Sequence, residues 1–130
     1  MILSSTIVGS GSNNLLVLHG FLGMASNWSS YAKKISLSGF KVHLINLRNH
    51  GNSFHSSEFS YDLMAKDLSD YVNKHSIKNF SLLGHSMGGK IAIKFSLLYP
   101  NKVEHLIVVD ILPIYYNSNL RFITKALKSL

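Results

Sequence analysis

Phe80-Ser81-Leu82-Leu83-Gly84-His85-Ser86-Met87-Gly88-Gly89-Lys90 is an apolar run that breaks at glycine, presents one serine, and breaks at glycine again. Where a strand turns sharply into a helix, the two backbone segments approach too closely for a Cβ, and Gly84 and Gly88 flank Ser86 at those positions. The spacing predicts a buried strand over Phe80 to Leu83. It then predicts a helix with Ile91, Phe95 and Leu98 facing inward and Lys90 and Lys94 facing away. A serine at such a tip stands at the carboxyl edge of a sheet, beside the free N–H groups that open the helix. That is a mounting for a nucleophile.

Working outward, residues 2 to 8 read as a weak strand, Gly9 to Asn14 as turn chemistry, and Leu15-Leu16-Val17-Leu18 as a buried strand. That strand runs into the glycine-punctuated loop His19-Gly20-Phe21-Leu22-Gly23. Ser26 is placed to cap a helix that turns Trp28, Tyr31, Ala32 and Ile35 inward and stops at Gly39. Val42 to Leu47 is the next strand, residues 48 to 60 are a polar loop, and Ser60 caps a helix with Tyr61, Ala65, Leu68 and Val72 inward. Beyond the serine helix, Pro100 is a stop and Val103 to Ile111 a further strand. Strands and helices alternate, so the expected class is α/β, a mostly parallel sheet with helices on both faces.

From Leu112 the pattern changes. Leu120, Ile123, Leu127 and Leu130 form an apolar stripe opposite Arg121, Lys125 and Lys128, and the periodicity continues to the last residue. Such a helix can lie on a membrane surface; packing on its own protein is the preferred reading.

Composition narrows the partners. At 130 residues and 46% hydrophobic the chain has material for one globular domain with a modest core. The absence of cysteine excludes disulfides and thiolate metal sites, and with no basic, apolar leader at Met1 a cytoplasmic location is expected. No apolar run is long enough to span a bilayer. The +7 charge raises nucleic acid as a partner, but the lysines are dispersed, with Lys33-Lys34 the one adjacent pair, so no nucleic acid is expected.

In a parallel sheet, ligands gather at the carboxyl ends of the strands. Serine acyl transfer needs a base, an acid to orient it, and N–H donors for the oxyanion. The backbone N–H of Met87 follows the nucleophile, and that of Phe21 lies in a loop freed by Gly20 and Gly23. Asp110, within Val108-Val109-Asp110-Ile111-Leu112, is the candidate acid, because a carboxylate among apolar residues is costly unless paired. The alternative for Asp110 is a helix cap or turn carboxylate.

Leu18-His19-Gly20-Phe21-Leu22-Gly23, Arg48-Asn49-His50-Gly51-Asn52-Ser53 and Gly84-His85-Ser86-Met87-Gly88-Gly89 resemble, in order and spacing, motifs of the α/β-hydrolase fold. They look most like the small bacterial acyl esterases and thioesterases and the related abhydrolase proteins. The resemblance runs from about Leu15 to Tyr115. It implies Ser86 as nucleophile, Phe21 and Met87 as oxyanion donors, and an acid after the strand where Asp110 stands; other branches place the acid one strand later. It implies a small acyl ester or thioester as substrate; no cofactor is expected, and no metal, because no pair of histidines has a convincing ligand spacing. One departure is Asn46, where many relatives carry Asp two residues before the arginine.

The family's base is a histidine well downstream of the acid. None of His19, His43, His50, His55, His75, His85 and His105 occupies that place. His50, beyond the carboxyl end of a strand, is the first candidate for a substitute. The expectation is therefore residues 1–111 as the N-terminal part of a truncated hydrolase core and 112–130 as the start of a lid or cap. A missing C-terminal half or partner chain would then supply the base, and the chain would be inactive alone. The alternative is a non-catalytic truncated or split product that acts as a binding module.

Overall fold

The computed structural model describes residues 1–109. Strand β1 (Ser5–Val8) is followed by β2 (Asn13–Leu18), a 3₁₀ turn over Ala25–Trp28, helix α1 (Ser29–Ser36), and β3 (Phe40–Ile45). Then come helix α2 (Tyr61–Lys74), β4 (Phe80–His85), helix α3 (Met87–Leu98) and β5 (Val103–Val109). The sheet order is β1-β3-β2-β4-β5. Among the described strands only the β1–β3 pair is antiparallel; β2 pairs in parallel with β3 and β4, and β4 with β5. The expected α/β class and mostly parallel sheet are what the chain forms.

Side chains that alternate along a strand serve two cores, because successive Cβ atoms point to opposite faces. Leu15, Val17, Val42 and Leu44 pack on one face with Trp28, Tyr31, Ala32 and Ile35 from the first helical segment. Leu16, Leu18, Ile45 and Leu82 pack on the other, under Met64, Ala65, Leu68 and Val72 of α2 and Ile91, Ala92 and Phe95 of α3. Helices therefore cover both faces, as expected from the alternation.

Three local expectations change. Ser26 lies inside the 3₁₀ turn and caps nothing; Met24 precedes that turn, and its N–H donates to Asn27 Oδ1 at 2.9 Å. Tyr61 is 40% exposed and Leu98 52%, so Met64 and Ala92 take the inward positions instead. An apolar residue in the first or last turn of a helix can satisfy the period and still overhang the sheet it packs on. Ser60 does cap α2, its Oγ accepting from the Leu63 N–H at 3.1 Å. Asp110 and the proposed lid segment 112–130 lie outside the described residues.

The β4–α3 junction is pressed against β2. A Cβ on Gly88 would overlap the carbonyl oxygens of Leu18 and His19, and one on Gly84 would overlap the backbone of Gly88. Both obstacles are backbone, which cannot swing aside as a side chain can. Gly88→Ala is expected to destabilise the fold by about 3 kcal/mol, near the upper end of overpacking costs. Urea denaturation would show it as a lower midpoint; an unchanged midpoint would mean that α3 slides freely on β2.

Among the described residues no helix is long and apolar enough to cross a membrane.

Candidate active site

Strand β4 delivers Ser86 to the carboxyl edge of the sheet, and the turn into α3 forces it into φ 53°, ψ −111°. A non-glycine residue with φ in this range is strained and must be held by its surroundings. Two bonds hold it: the Ser86 N–H donates to the Val109 carbonyl at 3.0 Å, and the Ser86 carbonyl accepts from the Lys90 N–H at 3.2 Å. The Ser86 side chain is left exposed, while the next residue, Met87, is buried. The Met87 N–H opens α3 and donates to no group among the described residues.

The loop after β2 stands beside this turn because Leu18 and Gly84 are register partners in neighbouring parallel strands. Gly20 permits the contact: a Cβ there would sit 2.7 Å from Nδ1 of His85. The Gly20 carbonyl accepts from Nδ1–H of His19 at 2.8 Å and from the Gly23 N–H at 3.0 Å. In a planar trans peptide the C=O and N–H point in opposite directions. Fixing the Gly20 carbonyl therefore turns the Phe21 N–H the other way, and that N–H has no acceptor among the described residues.

Two histidines brace the loop in the same manner. Nε2 of His19 accepts from the Leu47 N–H at 3.0 Å, so its proton is on Nδ1, where it donates to Gly20. Nε2 of His50 accepts from the Leu22 N–H at 3.1 Å, and its Nδ1–H donates to the Arg48 carbonyl at 2.8 Å. The two rings are 4.9 Å apart. Burial pushes the His19 pKa down to about 4, with the neighbouring His50 and His85 adding to the effect. His50, the first candidate for a substitute base, has both ring nitrogens engaged and none to spare for Ser86.

His43 is likewise committed: its ring nitrogens pair with the Tyr71 hydroxyl at 2.9 Å and Asn14 Oδ1 at 3.0 Å. His55 and His75 are exposed, and His105 contacts Ser81 at 3.3 Å. Among the described residues no group of three or more His, Asp or Glu is placed to hold a metal ion.

The 48–53 loop owes its shape to contacts that the sequence does not advertise. Arg48 makes a two-pronged ion pair with buried Asp67, Nε to Oδ2 at 2.7 Å and Nη2 to Oδ1 at 2.9 Å, and Nη1 donates to the Glu58 carbonyl at 2.7 Å. Its guanidinium also lies over the Phe54 ring. Asn46 accounts for its departure from the family pattern: Oδ1 accepts from the Ala25 N–H at 2.8 Å and Nδ2 donates to Ser4 Oγ at 3.1 Å. An aspartate could make the first bond, and the second only with the Ser4 hydroxyl reversed to donate. A Cβ on Gly51, at φ +52°, would meet this same Asn46 side chain.

The chain matches the sequence model of the alpha/beta hydrolase fold over residues 13–127. It is 44% identical over 112 residues to the sn-1-specific diacylglycerol lipase ABHD11 of Danio rerio, covering 85% of this chain and 35% of that protein. It is 41% identical over 102 residues to a putative esterase/lipase of Haemophilus influenzae, covering 78% of this chain and 35% of the relative. Among solved structures a marine microorganism esterase superposes with a TM-score of 0.80 at 35% identity, covering 99% of this chain and 51% of that one. The chain thus spans about a third of the length of these curated relatives and about half of the marine esterase.

Proposed function

The chain belongs to the alpha/beta hydrolase fold family, and from that premise we propose that it carries the nucleophile of a serine hydrolase of carboxylic esters or thioesters. The observation that carries this reading is Ser86 itself, exposed at φ 53° on a strand-to-helix turn, beside N–H groups of Met87 and Phe21 that have no acceptor among the described residues. The lipase and esterase names of the relatives support the ester class.

In the proposed reaction a base removes the Ser86 hydroxyl proton as Oγ attacks the acyl carbon. The Phe21 and Met87 N–H groups receive the charge that develops on the carbonyl oxygen. Collapse of the intermediate expels the alcohol or thiol, protonated by the same base, and water then releases the acid from Ser86. Asp110, directly after β5, is the proposed orienting acid. The proposed base is a histidine supplied by a C-terminal half or partner chain beyond these 130 residues, as His19, His43 and His50 have both ring nitrogens committed.

That commitment also favours a second reading for these 130 residues by themselves, a folded module without turnover. A fluorophosphonate probe separates the two, because only an activated serine reacts. The full gene product is expected to be labelled at Ser86, mapped by peptide mass spectrometry, and the 130-residue chain very little. Labelling at another residue of the full gene product, or labelling undiminished in Ser86→Ala, would overturn the proposal.

A further inference from the structure

An oxyanion donor helps only if its N–H is aimed before charge develops, since reorientation during the reaction forfeits the gain. The loop bearing Phe21 has little core contact to aim it: Phe21 is 64% exposed and Leu22 81%. Leu22 also holds φ +60°, a conformation that a side-chain-bearing residue keeps only when its surroundings impose it. Among the described residues one hydrogen bond from outside the loop reaches this peptide, from the Leu22 N–H to Nε2 of His50 at 3.1 Å. His50 is itself fixed, buried with its Nδ1–H on the Arg48 carbonyl, while Arg48 is gripped by Asp67. The edge of the Phe21 ring meets the His50 ring, with centroids 6.1 Å apart and planes at 73°.

We infer that His50 is a positioning residue, which clamps the Phe21–Leu22 peptide through Nε2 and so holds the Phe21 N–H toward the oxyanion. The role rests on the reading of Ser86 as nucleophile and adds a group to it. The two loop peptides then have separate anchors: His19 and Gly23 hold Gly20–Phe21 by its carbonyl, and His50 holds Phe21–Leu22 by its N–H. Without the second anchor Leu22 is free to leave positive φ, and the Phe21 N–H is then held only through the Gly20 carbonyl. The anchor works only in the neutral ring, because a protonated Nε2 donates and cannot accept.

The test compares His50→Phe, which keeps an aromatic ring and removes the acceptor, with His50→Gln, whose amide oxygen falls near the place of Nε2. In the full gene product His50→Phe is expected to lower kcat for a short acyl ester about 10- to 100-fold, somewhat less than outright loss of an oxyanion donor. KM should stay within about twofold, since the loss is confined to the transition state. His50→Gln is expected to recover most of kcat. The Leu22 amide supplies a readout independent of turnover: its hydrogen-exchange protection should fall in His50→Phe and persist in His50→Gln. If the Phe variant does not fold, His50→Met removes the acceptor with less bulk. A kcat unchanged by loss of the acceptor, or a Leu22 amide that stays protected, overturns the role of His50 alone. Wild-type turnover that survives Ser86→Ala sinks the underlying reading as well.

Discussion

Ser86→Ala is expected to reduce kcat/KM of the full gene product toward short acyl esters by about three orders of magnitude or more, with KM little changed. No other described side chain shares its position at the turn, so no neighbour can take over the covalent step. The loss should be incomplete relative to uncatalysed hydrolysis, because the Phe21 and Met87 N–H groups remain and still stabilise an oxyanion formed by direct attack of water. The substitution should leave the fold intact, as the Ser86 side chain is exposed and the bonds that hold the turn run through its backbone N–H and carbonyl. Ser86→Gly sharpens the point. Glycine accepts φ 53° without steric penalty, so this variant is expected to be equally inactive yet to melt above wild type. Such a pair of results would mean that the strained backbone at residue 86 is kept for the reaction and against stability. Steady-state ester hydrolysis with thermal melts on the three proteins decides it; full activity in Ser86→Ala would end the serine-hydrolase reading.

The elbow was legible in sequence because its determinants are neighbours along the chain. Gly84, Ser86 and Gly88 sit two apart, and the strand and helix on either side carry their own periods. The two cores were legible for the same reason, through Leu15 to Leu18 and the spacing of Trp28, Tyr31, Ala32 and Ile35. What failed to show was the set of contacts between loops and helices far apart in sequence. His50 read as a candidate base because it follows a strand, whereas it accepts a hydrogen bond from Leu22, 28 residues earlier. His19 reaches Leu47 over the same separation, and Arg48 reaches Asp67 over 19 residues. No local pattern encodes such pairs. The usable hint was chemical: a histidine between Asn49 and Gly51 in a polar loop has many partners to satisfy, and a buried ring commits both nitrogens.

Acid should begin to weaken this protein before its carboxylates titrate. His19 and His43 are each 1% exposed, and burial pushes both pKa values from 6.5 down to about 4, Lys41 and His75 adding to the effect on His43. Exposed in the unfolded chain, each imidazole regains its ordinary value and takes up a proton below pH 6.5 that the native state refuses. The unfolded state therefore binds more protons between about pH 4 and 6.5. Stability accordingly rises with pH through that window and is lost as pH falls through it. Above 6.5 neither state is protonated at these sites, and below about 4 both are, so the loss is confined to the interval. At about 1.4 kcal/mol per pH unit of displacement, each histidine accounts for roughly 3 kcal/mol. The two together approach the whole stability of an ordinary domain, on the order of 5 to 15 kcal/mol. The upper half of the window, from pH 6.5 to 5, lies above the usual Asp and Glu range, so a decline there belongs to the histidines. Urea midpoints measured from pH 7.5 to 4.5 should fall steeply below 6.5, while imidazole resonances of His19 and His43 in the folded protein stay in their neutral positions down to about pH 5. A midpoint that is flat from pH 7 to 5, or native resonances that titrate near 6.5, would show that water reaches these rings and that they do not brace the sheet and the oxyanion loop in neutral form.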